Sequence, residues 1–170
     1  MRVNQNSFHE IQHFRQIWVW ISILLSASLM WYDFIQQIIF GKTVGSNPAP
    51  DAVVIAFWGL FGIIFPVFIL LFLKLETEVR NDGIYIRFFP FHLQYRTFLF
   101  KDIQHYESIT YSPIKRFGGW GIRFNTAGET AYNVKGKKGI ELKLKYGTVV
   151  IGTQKTEEFK RVLDSVIEKE

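Results

Sequence analysis

"VVIAFWGLFGIIFPVFILLFL", residues 53–73, decides how this chain is read. Its 21 residues carry no charge. A bilayer core about 30 Å thick takes roughly 20 helical residues to cross. The stretch therefore predicts a membrane-spanning helix. Pro66 lies inside it, which a lipid-buried helix tolerates when a neighbour satisfies the carbonyl that proline leaves free. Gly59 and Gly62 either let that neighbour approach or are there because glycine is common in such helices.

A second apolar segment precedes it. "IWVWISILLSASLMWYDFIQQIIF", residues 17–40, stays uncharged until Asp33. On a helix Asp33, Gln36 and Gln37 fall at i, i+3 and i+4 and share one face. A polar stripe in a span usually faces protein or water. Alternatively Trp31 and Tyr32 form one interfacial belt, opposite Trp18 and Trp20, and Asp33 sits among the headgroups. The belt is the preferred reading, being the commoner device.

"GKTVGSNPAPD", residues 41–51, joins the two segments and is full of helix breakers. The expectation is a transmembrane hairpin over residues 1–73, with spans at about 17–40 and 52–73. Arg2 and Arg15 precede it, Lys74, Arg80 and Arg87 follow it, and the connection holds only Lys42. By the positive-inside rule both ends face the cytoplasm of a cell membrane crossed twice. A cleaved signal peptide is not expected, because the apolar run continues past the small residues Ser26, Ala27 and Ser28. The chain has no cysteine, so it holds neither a disulfide framework nor a thiolate metal site.

After Lys74 the period changes to two. Residues 75–79, 84–89, 93–100, 105–111, 120–125, 130–134, 140–145 and 149–153 read as short strands. Asn81–Asp82–Gly83 and several Gly and Pro clusters supply the turns. Residues 154–168 read as one amphipathic helix. Thr153 or Thr156 caps it, Glu157 and Glu158 sit in its first turn, and Phe159, Val162, Leu163, Val166 and Ile167 form its apolar stripe. The fold class expected is α+β. Residues 74–170 form an antiparallel sandwich or barrel capped by a C-terminal helix.

That order is the order of the pleckstrin-homology (PH-like) fold. "YSPIKRFGGWGIRF" (111–124), "AYNVKGKKGIELKLKYGTVVIGTQKTEEF" (131–159) and the opening "FHEIQHFRQIWVW" (8–20) resemble small bacterial and archaeal membrane proteins of unknown function. Those have two spans followed by a PH-like domain. The resemblance implies a fold and no activity. PH domains that read phosphoinositides use a basic first hairpin loop. The equivalent here, Arg80–Asn81–Asp82–Gly83, is short and partly acidic, so phosphoinositide recognition is not implied.

His9, Glu10 and His13 fit H-E-x-x-H, which on a helix presents two zinc ligands and a general base. A third ligand at motif spacing is missing from the sequence, and no fold precedes the motif to build a cleft. The reading here is an interfacial helix, with Ile11, Phe14 and Ile17 toward lipid and Arg15 snorkelling to phosphate. No phosphate loop and no G-x-S-x-G elbow is present. Phe117–Gly121 reads as a hairpin turn rather than a nucleotide cradle.

Residues 74–170 carry 17 Lys and Arg against 12 Asp and Glu. The cations cluster at Lys115 and Arg116 and at Lys135, Lys137 and Lys138, which are the candidate lipid or partner surface, against the alternative of ordinary solvated turns. The excess is modest and lacks an aromatic-basic signature, so nucleic acid is not an expected partner. The sequence thus predicts a non-enzymatic, membrane-anchored binding or scaffolding module with no cofactor, metal or catalytic residue. Its partners are the bilayer and either its own copies or another membrane protein. In the competing reading the hairpin does the work, and Asp33, Gln36 and Gln37 line a polar path in a small channel or transporter.

Overall fold

The computed structural model describes residues 8–14 and 16–167, and of Trp18 the backbone only. Arg2, Arg15, the Trp18 side chain and Glu168, all used in the sequence reading, lie outside what is described. The chain forms two units. One is Phe14–Leu73; the other joins residues 8–13 to residues 74–167.

In the first unit, helix α1 (Ile17–Phe34) runs on through widened π turns at Ile35–Ile39. Helix α2 (Asp51–Phe57) continues through similar turns at Trp58–Ile64 into α3 (Phe65–Phe72). The resulting rods, Val19–Ile39 and Asp51–Phe72, are both long and apolar enough to cross a membrane. Only 6% of the apolar window of each is buried. Ile21, Leu24, Leu25, Ile64, Leu70 and Leu71 all lie exposed.

The widened turns sit just before Pro66 for a physical reason. Proline has no N–H to give the carbonyl of residue 62 and its ring crowds that carbonyl. The Trp31 indole N–H, from α1, donates to the Gly62 carbonyl at 3.3 Å. Glycine suits the close approach there. A Cβ on Gly62 would lie 3.2 Å from Trp58 Cδ1 and 3.6 Å from Met30 Cβ, whereas one on Gly59 would meet open space. Trp58 meets Trp31 edge-on at 5.1 Å and stacks on Phe34 at 4.1 Å. Trp31, expected in a belt facing headgroups, is thus part of the seam between the rods.

The second unit opens with a strand where the sequence reading placed an interfacial helix. β1 (Phe8–His13) pairs antiparallel with β2 (Lys74–Val79) from Phe8↔Val79 to His13↔Lys74. The N-terminal segment therefore belongs to the β unit, not to residues 1–73 as one piece. β3 (Gly83–Phe89) and β4 (Arg96–Leu99) complete a four-stranded antiparallel sheet in the order β1-β2-β3-β4.

β5 (Ile103–Thr110) leads into a short helix, α4 (Pro113–Phe117), absent from the sequence reading. Then follow β6 (Gly121–Phe124), β7 (Thr130–Asn133), β8 (Lys138–Leu144) and β9 (Gly147–Gly152). This second sheet has the order β5-β8-β9-β7-β6. The β8–β9 hairpin inserts between β5 and β7, which leaves β7 and β9 running parallel. Among the described residues the two sheets stay separate: of the antiparallel sandwich or barrel expected, no closed barrel forms, and the second sheet is mixed rather than wholly antiparallel.

Helix α5 (Thr156–Ile167) touches β1 and β2 of one sheet and β5 and β8 of the other. Phe159, Val162 and Leu163 are buried, and Phe159 stacks on Phe8 at 4.5 Å. Leu75, Ile84, Ile86, Ile140, Leu142 and Ile151 are fully enclosed. Each such side chain contributes about 1.5–3 kcal/mol by leaving water. A smaller cluster joins Phe117 of α4 to Tyr111, Ala131 and Val150. Ser112 caps α4 by accepting the Lys115 N–H, Pro113 begins it, and Gly118 ends it at φ 72°. That left-handed turn suits glycine and explains the Gly118–Gly119 pair.

Candidate functional site

The chain leaves the β unit at His13 and re-enters it at Lys74, and these two residues are Cα partners across β1 and β2. A series of hydrogen bonds runs from this exit into the second sheet. The Gln12 amide donates to the Gly152 carbonyl at 2.8 Å. Gly152 pairs with Gly139, and the next residue, Thr153, donates its N–H to the Lys138 carbonyl. The Gln154 amide donates to the Lys135 carbonyl at 2.9 Å, and the Trp120 indole to the Gly136 carbonyl at 3.3 Å. The turn bearing Lys135, Lys137 and Lys138 is held by these bonds at the exit end of the unit, with all three side chains exposed. The Tyr111 N–H, donating to Lys137, brings the start of α4 and exposed Lys115 to the same end.

Arg116 does not join them. Its guanidinium grips Glu129 with two hydrogen bonds of 2.7 and 2.8 Å and reaches Glu141 at 2.6 Å. The Glu129 bond, then Glu141, raise its pKa further against the pull of desolvation, and the same contact with Arg116 holds Glu129 below the usual carboxylate range. Arg116 is a structural cation that fastens α4 to the second sheet, so the candidate surface contracts to four lysines. Beside it lies a hollow of about 440 Å³ edged by Lys138, Lys155 and Arg161 and by Glu157 and Glu158.

The polar stripe of the hairpin sits near its connecting loop. The Gln37 amide donates to the Ala49 carbonyl at 2.7 Å and to Asp51 at 2.8 Å, which ties the loop to α1. Asp33 lines a cavity of about 220 Å³ with Met30, Val53, Val54 and Phe57. Gln36 accepts the Lys42 N–H through its main-chain carbonyl. Gln37 is thereby taken up in closing the loop.

The strand dismantles the H-E-x-x-H reading. On β1, His9 and His13 point to the exposed face while Glu10 points inward and is buried. Four residues of strand separate the two histidines by about 13 Å, too far to share one zinc. Glu10 instead accepts the Thr153 hydroxyl at 2.5 Å, the Gln154 N–H at 3.0 Å and the Gln12 amide at 3.2 Å.

His9 does meet carboxylates, at 3.1 Å from Glu76 and 3.8 Å from Glu78. The three could gather round a cation, a cluster invisible in the sequence because 66 residues intervene. Each carboxylate already has an arginine: Arg87 lies 2.7 Å from Glu76, and Arg80 lies 2.7 Å from Glu78. Burial pushes the Glu76 carboxyl up, but hydrogen bonds from Arg87 and His9 outweigh this and hold it below its usual range. Arg80 also lies over the rings of Tyr85 and Tyr95. The arrangement is an ion-pair network on the outer face of the first sheet. It occupies the cation of the β2–β3 loop, while Asp82 of that loop accepts the Tyr85 hydroxyl.

Residues 3–167 match the model of a protein family described as a family of unknown function (DUF6141). No curated protein and no solved structure matches the chain.

Proposed function

The chain belongs to that family of unknown function, and from this premise we propose that it is a membrane-anchored, non-enzymatic binding module. Its two apolar rods span a bilayer, and lysines of its PH-like β unit engage anionic headgroups of the cytoplasmic leaflet. The observation that carries the reading is the pairing of His13 with Lys74. A segment that leaves and re-enters one sheet at neighbouring residues has both its ends on one side of any membrane it crosses. The basic residues flanking the hairpin favour the cytoplasmic side. Two sheets followed by a C-terminal helix support the PH-like assignment.

The position of the lysines within the β unit supports a contact with that leaflet. Lys115, Lys135, Lys137 and Lys138 lie at the end of the unit from which the hairpin departs, and each cation near an anionic surface adds about 1 kcal/mol of attraction. The H-E-x-x-H glutamate is engaged in holding α5, which favours a binding role over catalysis. The channel reading has less support, because Gln37 is tied to the connecting loop.

The test uses the whole chain in bilayer discs with and without anionic lipid. Amide exchange at residues 135–138 is expected to slow when anionic lipid is present, and reversing Lys135, Lys137 and Lys138 to Glu abolishes the difference. Equal exchange in both lipids would remove the headgroup-binding role.

A further inference from the structure

We propose a second membrane contact: the β3–β4 loop, residues 90–95, inserts Phe91 and Leu93 into the headgroup–acyl boundary of the bilayer that holds the hairpin. The inference rests on the membrane-anchored reading above. Phe91 is 69% and Leu93 76% exposed. Two large apolar side chains so close together on one loop invite a partner.

The loop begins where the chain returns from the hairpin. Phe89 is the Cα partner of Lys74, and Lys74 stands two residues after the last residue of the rod Asp51–Phe72. Covalent reach and strand pairing together keep Phe89 within roughly 12 Å of that rod's end. Phe91 follows two residues later. Another exposed apolar residue lies at the far end of the unit. Tyr146, 94% exposed, sits on the β8–β9 turn, at the opposite end of β9 from Gly152 and its Gln12 bond.

The loop is also built to present its tips. The His92 N–H donates to the Phe88 carbonyl at 2.8 Å, closing the turn. The His92 ring turns inward and meets Tyr132 edge-on at 5.7 Å. The residues on either side, Phe91 and Leu93, are thereby the exposed ones, and the Phe91 and Phe88 ring centroids lie 6.0 Å apart. Lys74 and the exposed Arg96 flank the loop. Apolar tips flanked by cations are the pattern of a segment that seats in an anionic interface.

The chain lacks cysteine, so single thiols can be placed cleanly. Phe91→Cys, Leu93→Cys, Tyr146→Cys and Leu70→Cys are each labelled with a polarity-sensitive fluorophore. The full chain is then reconstituted in vesicles of phosphatidylcholine and phosphatidylglycerol. All four positions are exposed or lie on the surface of the rods, and circular dichroism checks each fold. Labels at 91 and 93 are expected to shift to the blue and to be quenched by lipids carrying doxyl high on the acyl chain, severalfold more than the label at 146. If 91 and 93 stay unquenched while 70 is quenched, this proposal falls and the anchor stands. If 70 is unquenched as well, both fall. Labels at 91 and 93 that are shielded from water but not quenched by lipid would indicate a protein partner or a second copy and would also overturn it.

Discussion

Glu10 accepts a hydrogen bond of 2.5 Å from the hydroxyl of Thr153, 143 residues further along the chain. The same hydroxyl accepts the Lys155 N–H at 3.0 Å, so the carboxylate and the threonine together satisfy donors at the start of α5. A strand that precedes the hairpin is thereby fastened to the last helix of the chain. The apolar rods are an insertion into a fold that closes on itself, with β1 and α5 meeting at Phe8 and Phe159 as well.

Removing that carboxylate should loosen the closure. Glu10→Ala leaves the Thr153 hydroxyl and the Gln154 N–H without their acceptor in a buried setting. Hydrogen bonds to a charged group contribute about 1.5–3 kcal/mol each, though not additively. A loss of about 2–4 kcal/mol is expected, read by denaturant unfolding, together with faster amide exchange over residues 156–163. Unchanged exchange in α5 would show that Glu10 is not its cap. His13→Ala, on the exposed face of the same strand, should change neither stability nor metal content by a measurable amount.

The reach of the sequence can be judged from particular residues. The apolar rods were legible because length and lack of charge suffice. Most strands after Lys74 were legible by alternation. β1 was not, because its inward residues are Phe8, Glu10 and Gln12 while Ile11 faces out. Two of three inward positions are polar and bond to partners 140 or more residues away, so alternation of apolar residues gave no usable signal. α4 had its signals, Ser112, Pro113 and Gly118, but five residues are too few to register a helical period. Arg116 looked like one more loop cation because Glu129 and Glu141 are brought to it only by the sheet. The His9–Glu76–Glu78 cluster depends in the same way on β1 lying beside β2.

The seam between the rods turns on Trp31 and Gly62. Trp31→Phe keeps the ring contacts with Trp58 and Phe34 but deletes the N–H that serves the carbonyl left open by Pro66. The expected loss is about 1 kcal/mol, the net worth of one such hydrogen bond. Gly62→Leu should cost more, since its first carbon already meets Trp58 and Met30, whereas Gly59→Leu should be tolerated. Thermal unfolding in detergent, followed by tryptophan fluorescence, ranks the three variants. Equal effects at 59 and 62 would contradict the seam.

Arg116 makes a structural prediction that separates it from the lysines. Arg116→Met leaves Glu141, which is 7% exposed, without its cation. Breaking a buried pair from one side costs about 3–5 kcal/mol, and the part-exposed position of Arg116 reduces that to roughly 2–3 kcal/mol. Lys115→Met should alter stability by less than about 0.5 kcal/mol. Chemical denaturation of both variants checks the contrast, and a restored stability in Arg116→Met with Glu141→Gln would identify the stranded carboxylate as the cause.

His92 gives the β unit a pH dependence of definite sign. Desolvation, assisted by the charge of Arg96, lowers its pKa in the folded protein, and its buried Nδ1 has no hydrogen-bond partner to receive a proton's worth of charge. In the unfolded chain the ring titrates near its usual value of about 6.5. Above that value both states are neutral and the contribution is intact. As the pH falls through 6.5 toward the folded pKa, the unfolded chain takes up the proton first and stability drops. Glu76, Glu129 and Asp164 are shifted the other way, below their usual values, so their contribution is lost only in more acid solution, below about 4. Unfolding free energy measured from pH 7 to pH 5 should therefore decline in the native chain and stay nearly flat in His92→Phe, while the steeper acid limb is common to both. Parallel declines in the two proteins would assign the slope to another group, and with it remove His92 as the neutral inward anchor of the loop that presents Phe91 and Leu93.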